Sequence, residues 1–223
     1  MKSYTGLVNW VLRAFFGIVC RLDTAEVNKV PMQGPLILVS NHVNFLEAPI
    51  IRAKLHPRDI IALTKTESYD NPLFSFLFNT WGGIPIQRGT VDRTALHACI
   101  DALAESKQLA ITPEGTRSGD GRLLPGKSGI VPLAVRSGAP LLPMACWGAE
   151  HFWVNLKHFR RTPFHVCVGR PFMVETSGKG MSKEVRQRIV DEIMFKLAEL
   201  LPERYHGAYE HPERETYQYL REV

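Results

Sequence analysis

Two short apolar runs, each followed at once by a polar motif, limit most strongly what this chain can fold into. Residues 36–40 (LILVS) lead directly into Asn41 and His42, and residues 109–112 (LAIT) lead into residues 113–117 (PEGTR). A short, continuously apolar run is typical of a parallel strand that is buried on both faces. Both motifs are therefore expected at strand ends, where ligands bind in open α/β sheets.

The rest of the chain alternates between strand and helix patterns. Further strands are predicted at residues 60–63, 140–145 and 164–168, with a short one within 82–88, and helices at 4–22, 49–54, 71–81, 91–106, 130–135 and 182–201. This alternation predicts an α/β fold, with a mostly parallel central sheet that is flanked by helices. A length of 223 residues suits one domain with short additions. We assign residues 1–22 to an N-terminal amphiphilic helix, 23–202 to the main domain and 203–223 to a loosely docked C-terminal tail.

The N-terminal segment is apolar and aromatic, but Asn9 and Arg13 interrupt it. A spanning helix needs about 20 mostly apolar residues. Trp10, Phe15 and Phe16 beside Arg13 instead favour a helix that lies in a membrane interface. A helix that packs on the protein core is the alternative. No small-residue cleavage site follows, so a signal peptide is not expected.

The net charge of +5 and the pI near 9.1 favour anionic partners. The basic residues are dispersed without a nucleic-acid recognition motif, so a membrane surface or a phosphorylated substrate is expected rather than nucleic acid. The four cysteines lie far apart, which predicts free thiols in a reducing compartment. His151, His158 and His165 recur every seven residues, a spacing that does not indicate a metal site.

His42 and Glu47 form the first candidate pair. A neutral imidazole can take a proton from an alcohol near neutral pH. A carboxylate on its other ring nitrogen fixes the tautomer. Five residues do not share one helix face, so His42 should lie in the turn and Glu47 in the first turn of the next helix, with Asn41 as a possible helix cap.

Glu114, Gly115, Thr116 and Arg117 form the second candidate. Gly115 lets the backbone approach a ligand, and the guanidinium of Arg117 suits bidentate phosphate binding. Arg88 offers another cation. Together the two candidates describe an acyl-transfer site with an anion clamp.

These motifs resemble those of the glycerolipid acyltransferase family, typified by 1-acyl-glycerol-3-phosphate acyltransferases. That family carries Asn-His-x4-Asp, Gly-x-x-x-x-Arg and Glu-Gly-Thr-Arg motifs, then an apolar block containing proline. This chain has them in the same order at residues 41–47, 83–88, 114–117 and 131–143, within a similarity that spans residues 30–175. Glu47 departs from the family's Asp by one methylene.

The resemblance implies an acyltransferase domain without a cofactor or metal. His42 would deprotonate the hydroxyl of a lysophosphatidic acid-like acceptor, oriented by Glu47. The donor would be a thioester of coenzyme A or acyl carrier protein. Arg88, Arg117 and Lys127 would hold the acceptor phosphate, at the cytoplasmic face of a membrane. Glycerol-3-phosphate, another lysophospholipid or a glycolipid remain alternative acceptors, and an inactive lipid-binding protein is the alternative function.

A further segment matches the sequence pattern of a nucleotide-binding loop, but its context argues against that function. Residues 121–128 (GRLLPGKS) fit the phosphate-binding loop of nucleotide hydrolases letter for letter. A true loop follows its strand directly, whereas the 114–117 turn intervenes here. Pro125 also removes one amide that would cradle phosphate. Nucleotide hydrolysis is therefore disfavoured.

Overall fold

The strand and helix alternation appears as one mixed sheet with helices on both faces. The computed structural model describes residues 4–87, 92–176 and 181–223. In chain order the elements are α1 (Thr5–Val19), β1 (Cys20–Asp23), β2 (Leu36–Ser40), α2 (Glu47–Leu55), β3 (Ile60–Lys65), α3 (Pro72–Trp81), β4 (Ile84–Ile86), α4 (Arg93–Ala104), β5 (Gln108–Ile111), α5 (Ile130–Ser137), β6 (Leu141–Trp147), α6 (Phe152–Lys157), β7 (Thr162–Val168), β8 (Phe172–Val174), α7 (Lys183–Ala198) and β9 (Leu220–Glu222).

The sheet has the strand order β1-β7-β6-β2-β5-β3-β4, and β8 and β9 extend it beside β6. Strand β2 lies at its centre, parallel to both β5 and β6. The β1–β7, β3–β5 and β3–β4 pairs are also parallel, while β7 and β8 run antiparallel to β6. The predicted mostly parallel α/β sheet is confirmed. We call the side on which β2, β3, β5 and β6 end the carboxyl edge.

The continuous apolar run of β2 is explained by burial on both faces. Ile37 and Val39 pack into one cluster with residues of α4, α5 and α7. Leu36 and Leu38 point the other way, into a second cluster that includes residues of α1, α2 and α6. Successive side chains of a strand face opposite sides, so a run without polar alternation requires two covered faces.

Helix α1 is shorter than predicted, and the polar residues Asn9 and Arg13 make contacts with the rest of the protein. It ends at Val19, and Cys20–Asp23 forms β1 instead of continuing the helix to residue 22. Asn9 is buried and accepts from the indole Nε1 of Trp81 at 3.2 Å. Arg13 donates to the carbonyls of Ala53 and His56 at the end of α2, as basic side chains often do at helix C-termini.

Most apolar residues of α1 face outward, but Phe16, which was predicted to meet the membrane interface, is buried in the second cluster. The exposed side chains are Leu7, Trp10, Val11, Phe15 and Ile18. The two residues that interrupt the apolar pattern thus serve tertiary contacts, while the apolar face has no protein cover. Across the described ranges 4–87, 92–176 and 181–223, no helix is both long and apolar enough to cross a membrane.

The C-terminal segment is docked more firmly than predicted. Tyr205 and Tyr209 are buried in the same cluster as β2 and α7. Strand β9 pairs with β8 and so joins the sheet. Loose docking was expected because the segment reads as polar and aromatic, but Tyr205 and Tyr209 bury their rings while their hydroxyls keep hydrogen-bond partners.

Candidate active site

His42 and Glu47 lie together at the carboxyl edge, directly after β2. The imidazole Nδ1 is 3.0 Å from Oε2 of Glu47. Glu47 is the first residue of α2, is buried, and accepts from the backbone amide of Asn44. A helix N-terminus stabilises a carboxylate. An anionic partner at Nδ1 places the proton there, so Nε2 carries the lone pair that can accept a proton.

Two asparagines fix the loop that carries this pair. Asn41 does not cap α2, as its position had suggested, because its side chain exchanges two 2.8 Å hydrogen bonds with the backbone of Cys146 in β6. Asn44 accepts from Leu46 and donates to the carbonyl of Ala149. We call residues 41–47 the base loop. It is tied to β6 and to the turn after it.

Glu114 occupies a different place from the substrate-binding position that the motif predicts. Its side chain is only 1 % exposed. One oxygen accepts from the amide of His42 at 2.8 Å, and the other accepts from the amide of Leu124 at 3.0 Å. Burial raises the pKa of this carboxyl to about 7, and the nearby Glu47 adds to the rise. The contacts therefore make Glu114 a brace between two loops.

The turn after Glu114 presents the two polar residues of the second motif to solvent. Gly115 adopts φ +66°, and a Cβ there would lie 3.1 Å from the Lys127 side chain. Thr116 and Arg117 are exposed. The next two amides, of Ser118 and Gly119, donate to the carbonyls of the base loop at His42 and Val43. The backbone around Arg117 is thus fixed to that of His42.

Lys127 lies close to this turn, on the segment that matches a nucleotide-binding loop. We call residues 115–128 the cation loop. The amides of Leu124, Gly126 and Lys127 donate to Glu114, to Tyr209 and to the carbonyl of Pro113. Because these donors are occupied, the segment cannot cradle a phosphate as a nucleotide-binding loop does.

Two of the three cations that were predicted to bind phosphate, Arg117 and Lys127, lie within the described residues. Arg117 and Lys127 form no ion pair within the ranges 4–87, 92–176 and 181–223. Arg88, the third predicted phosphate ligand, lies outside the described residues. The backbone amides of Gly83 and Gly115 donate to the carbonyls of Phe78 and Thr112.

A mainly apolar cavity of about 190 Å³ opens beside His42 and Arg117. It continues between α2, β3 and α3, where its walls include Phe74, Leu77, Phe78 and Trp81. The apolar segment 71–81, which is predicted as a helix, forms α3 and one wall of this cavity.

Two functional candidates are missing from the sequence-based set. Lys65 ends β3 at the carboxyl edge and lines the cavity. Polar residues at strand ends are expected to face ligands, and this expectation applies to Lys65 as well. Lys65 was missed because the strand was predicted to end at residue 63. Tyr209 accepts from Gly126 at 2.8 Å and also bonds with Asp191 at 3.1 Å. Only the fold reveals this second contact to the cation loop, since 83 residues separate Tyr209 from Gly126.

The described ranges contain no group of three or more His, Cys, Asp or Glu side chains that could hold a metal ion. His42, Glu47, Lys65 and Arg117 line the mainly apolar cavity, and Lys127 lies against Gly115 in the same turn as Arg117. An imidazole–carboxylate pair, exposed cations and an apolar cavity together suit a molecule that has both an anionic and a hydrocarbon part.

The chain belongs to the acyltransferase family. The family model described as "Acyltransferase" matches residues 21–147, from β1 to the end of β6. The base loop and the cation loop both lie within this match. The resemblance to glycerolipid acyltransferases that the motifs indicated is confirmed.

Relatives within that family carry a narrower name. A 1-acyl-sn-glycerol-3-phosphate acyltransferase of Limnanthes alba is 33% identical over 171 residues, which are 73% of this chain and 56% of the relative. The beta form from Homo sapiens is 25% identical over 160 residues, covering 69% and 56%. The chain thus spans about half the length of the curated relatives it matches.

A solved structure shares the fold. It is the 1-acyl-sn-glycerophosphate (LPA) acyltransferase PlsC of Thermotoga maritima, with a TM-score of 0.64 and 23% identity. The similarity covers 88% of this chain and 78% of that one. At this identity the comparison bears on the fold alone.

Proposed function

We propose that this protein transfers a fatty acyl group from an acyl thioester to the hydroxyl of a lysophosphatidic acid-like acceptor. The observation that carries the proposal is the His42–Glu47 pair in the wall of an apolar cavity that the exposed Arg117 also lines. The exposed Lys127 lies against Gly115 in the same turn as Arg117. The names of the matched relatives agree with it. The donor thioester is of coenzyme A or acyl carrier protein, with no further cofactor.

The reaction proceeds by direct transfer in this proposal. Nε2 of His42 accepts the acceptor's hydroxyl proton while the oxygen attacks the thioester carbonyl. The tetrahedral intermediate collapses, the carbon–sulfur bond breaks, and the imidazolium returns its proton to the leaving thiolate. Glu47 holds Nδ1 and stabilises the imidazolium, so that neither carboxylate nor base must reorient during the step.

The acceptor phosphate binds at the cation loop. The guanidinium of Arg117 lines the cavity and binds phosphate oxygens in pairs, while Lys127 adds a second charge. Gly115 and Thr116 shape this approach, and Arg88 is proposed as a further ligand. Glu114 holds the base loop and the cation loop together by accepting from the backbone amides of His42 and Leu124.

The hydrocarbon parts of the substrates require access from a bilayer. The acyl chain lies in the cavity between α2 and α3, and the exposed apolar face of α1 rests in the membrane interface. The contacts of Asn9 and Arg13 with the protein support this orientation, because they leave Trp10 and Phe15 to meet lipid. We place the protein peripherally at the cytoplasmic face.

The test is thiol release by the purified full chain, with a long-chain acyl-coenzyme A or acyl carrier protein donor and lysophosphatidic acid. We expect acceptor-dependent turnover that His42→Ala abolishes. His165→Ala is the matched control, because His165 also pairs with a carboxylate, Asp23, at 3.2 Å but on the exposed surface. Equal losses in both variants would contradict the assignment of the base.

The acceptor series separates the alternatives. Glycerol-3-phosphate, other lysophospholipids and a glycolipid are compared under the same conditions, and the substrate with the highest kcat/KM identifies the acceptor. Binding of acyl chains without turnover of any acceptor would favour an inactive lipid-binding protein over an enzyme.

A further inference from the structure

The segment between β6 and β7 exposes aromatic and apolar side chains to solvent. Trp153 is 60 % exposed and Phe159 is fully exposed, and Val154 and Leu156 are exposed beside them. Phe159 also has φ +54°, in the left-handed region that bulky side chains rarely adopt. A strained backbone that presents a phenyl ring to water does not stabilise the fold, so another contact has to account for it.

The same segment is strongly basic. Lys157, His158 and Arg160 are exposed and flank Phe159, and the chain has no acidic residue from 151 to 174. Lys157 and Arg160 form no ion pair within the part of the chain that the structure describes. We call residues 153–160 the basic-aromatic segment. Exposed apolar side chains beside basic ones suit the surface of a membrane with anionic headgroups better than they suit bulk water.

The sheet topology places this segment on the side of the active site. Strand β7 runs antiparallel to β6, so it starts at the carboxyl edge where β6 ends. Strand β1 pairs in parallel with β7, with Cys20 opposite Thr162, and therefore starts at the same edge. The residues before β7 thus lie beside the last turn of α1.

Direct contacts join the segment to α1 and to the cavity. Arg161 donates to the carbonyls of Gly17 and Cys20 at 2.7 Å and 2.6 Å, which fixes the end of α1 against the start of β7. Trp153 stacks on Phe45 with ring centroids 5.4 Å apart, and Phe45 lines the cavity beside His42. The segment is therefore continuous with the outward face of α1 and with the cavity wall.

We propose that the basic-aromatic segment is a second membrane-binding surface, which inserts Phe159 and Trp153 among the lipids while Lys157 and Arg160 bind anionic headgroups. An acidic protein partner is less favoured, because four exposed apolar side chains would need an apolar surface between its charges. With α1 it forms a two-point contact around the active site. The inference builds on the lipid substrate of the proposed function, but it concerns membrane binding and is measured without catalysis.

The test is sedimentation of the full-length protein with phosphatidylcholine vesicles, with and without phosphatidylglycerol. We expect Phe159→Ala to lower the partition coefficient about tenfold on both vesicle types. The double change Lys157→Ala and Arg160→Ala should lower it about tenfold or more on phosphatidylglycerol vesicles and leave it unchanged on pure phosphatidylcholine. Met32→Ala is the control, since Met32 is exposed but precedes β2 at the opposite edge of the sheet.

Unchanged partitioning of Phe159→Ala and of the double variant would overturn the inference, and so would an equal loss in Met32→Ala. If partitioning were unchanged and turnover fell only with an acyl carrier protein donor, the segment would be identified as a protein contact instead. Turnover of short-chain substrates without vesicles should stay at the wild-type rate in all variants, so failure here is distinguishable from failure of the proposed acyl transfer.

Discussion

The base loop and the cation loop meet at one edge of the sheet but are built in opposite ways. In the base loop, Asn41, Asn44 and Glu47 are all engaged in hydrogen bonds, and the imidazole of His42 has one fixed partner. In the cation loop the backbone is fixed, while the side chains of Arg117 and Lys127 extend into solvent. In the proposed reaction, His42 is already oriented as the base before substrate arrives, whereas Arg117 and Lys127 take up their positions only when the acceptor phosphate binds.

This difference predicts a separation of kinetic effects. Changes in the base loop should lower kcat, since its geometry matters in the transition state. Changes in the cation loop should raise KM for the acceptor, since its contacts form when the phosphate binds. The four tests below are ordered by the size of the expected effect.

Glu47→Gln should lower kcat about 10³-fold with little change in KM. The amide offers Nδ1 a donor and so favours the tautomer whose Nε2 is protonated. Glu47→Asp should cost less, about tenfold, because it retains the charge but withdraws it by one methylene. Steady-state kinetics measure both, with Asp23→Asn at the exposed His165 pair as control. A wild-type kcat in Glu47→Gln would contradict a preset base.

Glu114→Gln tests the brace between the loops through the pH dependence of stability. The folded-state pKa of about 7 lies above the ordinary value of 4.5, so the folded protein holds this proton more tightly than the unfolded chain. The contribution of the carboxyl is therefore fully present below about pH 4.5 and is lost as pH rises through about 7.

Urea unfolding of wild type and Glu114→Gln measures this contribution. The advantage of the wild type in free energy of unfolding should shrink by up to about 3 kcal/mol between about pH 4.5 and about pH 8. If the difference in free energy of unfolding between wild type and Glu114→Gln did not vary with pH, burial would not be raising the pKa of the Glu114 carboxyl.

Arg117→Lys should raise KM for a phosphorylated acceptor about tenfold and change kcat less, because an ammonium cannot replace the paired donors of a guanidinium. Arg122→Lys is the control on the same loop, where Arg122 is exposed. With an acceptor that lacks phosphate, the effect should vanish. A loss of kcat alone would place Arg117 with the base.

Tyr209→Phe removes the hydroxyl that accepts from Gly126, next to Lys127. The free energy of unfolding should fall by about 1 kcal/mol, since a buried amide loses its partner. KM for the acceptor should rise a few-fold as the cation loop loosens. Tyr217→Phe, whose hydroxyl bonds with Glu199 at the surface, is the comparison. Equal KM in the two variants would remove Tyr209 from the support of the loop.

The sequence predicted the parts of the molecule that depend on continuous apolar runs. Strand β2 and the end of β5 were located because burial on both faces leaves no polar residue in the run, and each motif followed directly. Strands β1, β8 and β9 were missed, since a segment of three or four residues carries little pattern, and only β4 and β5 among the described strands of that length were located. Cys20–Asp23 in particular continues an apolar helix without a break.

Roles of single residues were harder to predict than positions. The sequence placed Glu114 near the site but could not show that its carboxylate points inward to two amides rather than to a ligand. Asn41 was similarly taken for a helix cap, because its true partner, Cys146, lies 105 positions away. Side-chain direction depends on neighbours that only the fold brings together. The partnership of His42 and Glu47, five residues apart, was within reach of local reasoning.

The long span between Asn41 and Cys146 also has a consequence for the order of events during synthesis. His42 is made early, but the hydrogen bonds that hold its loop wait for β6 and for Ala149 after it. Contacts so distant in sequence form late, since closing the intervening chain has an entropic cost. A nascent chain that ends before residue 146 therefore has His42 but not the contacts that hold its loop, and the proposed reaction would begin only when about two thirds of the protein has emerged.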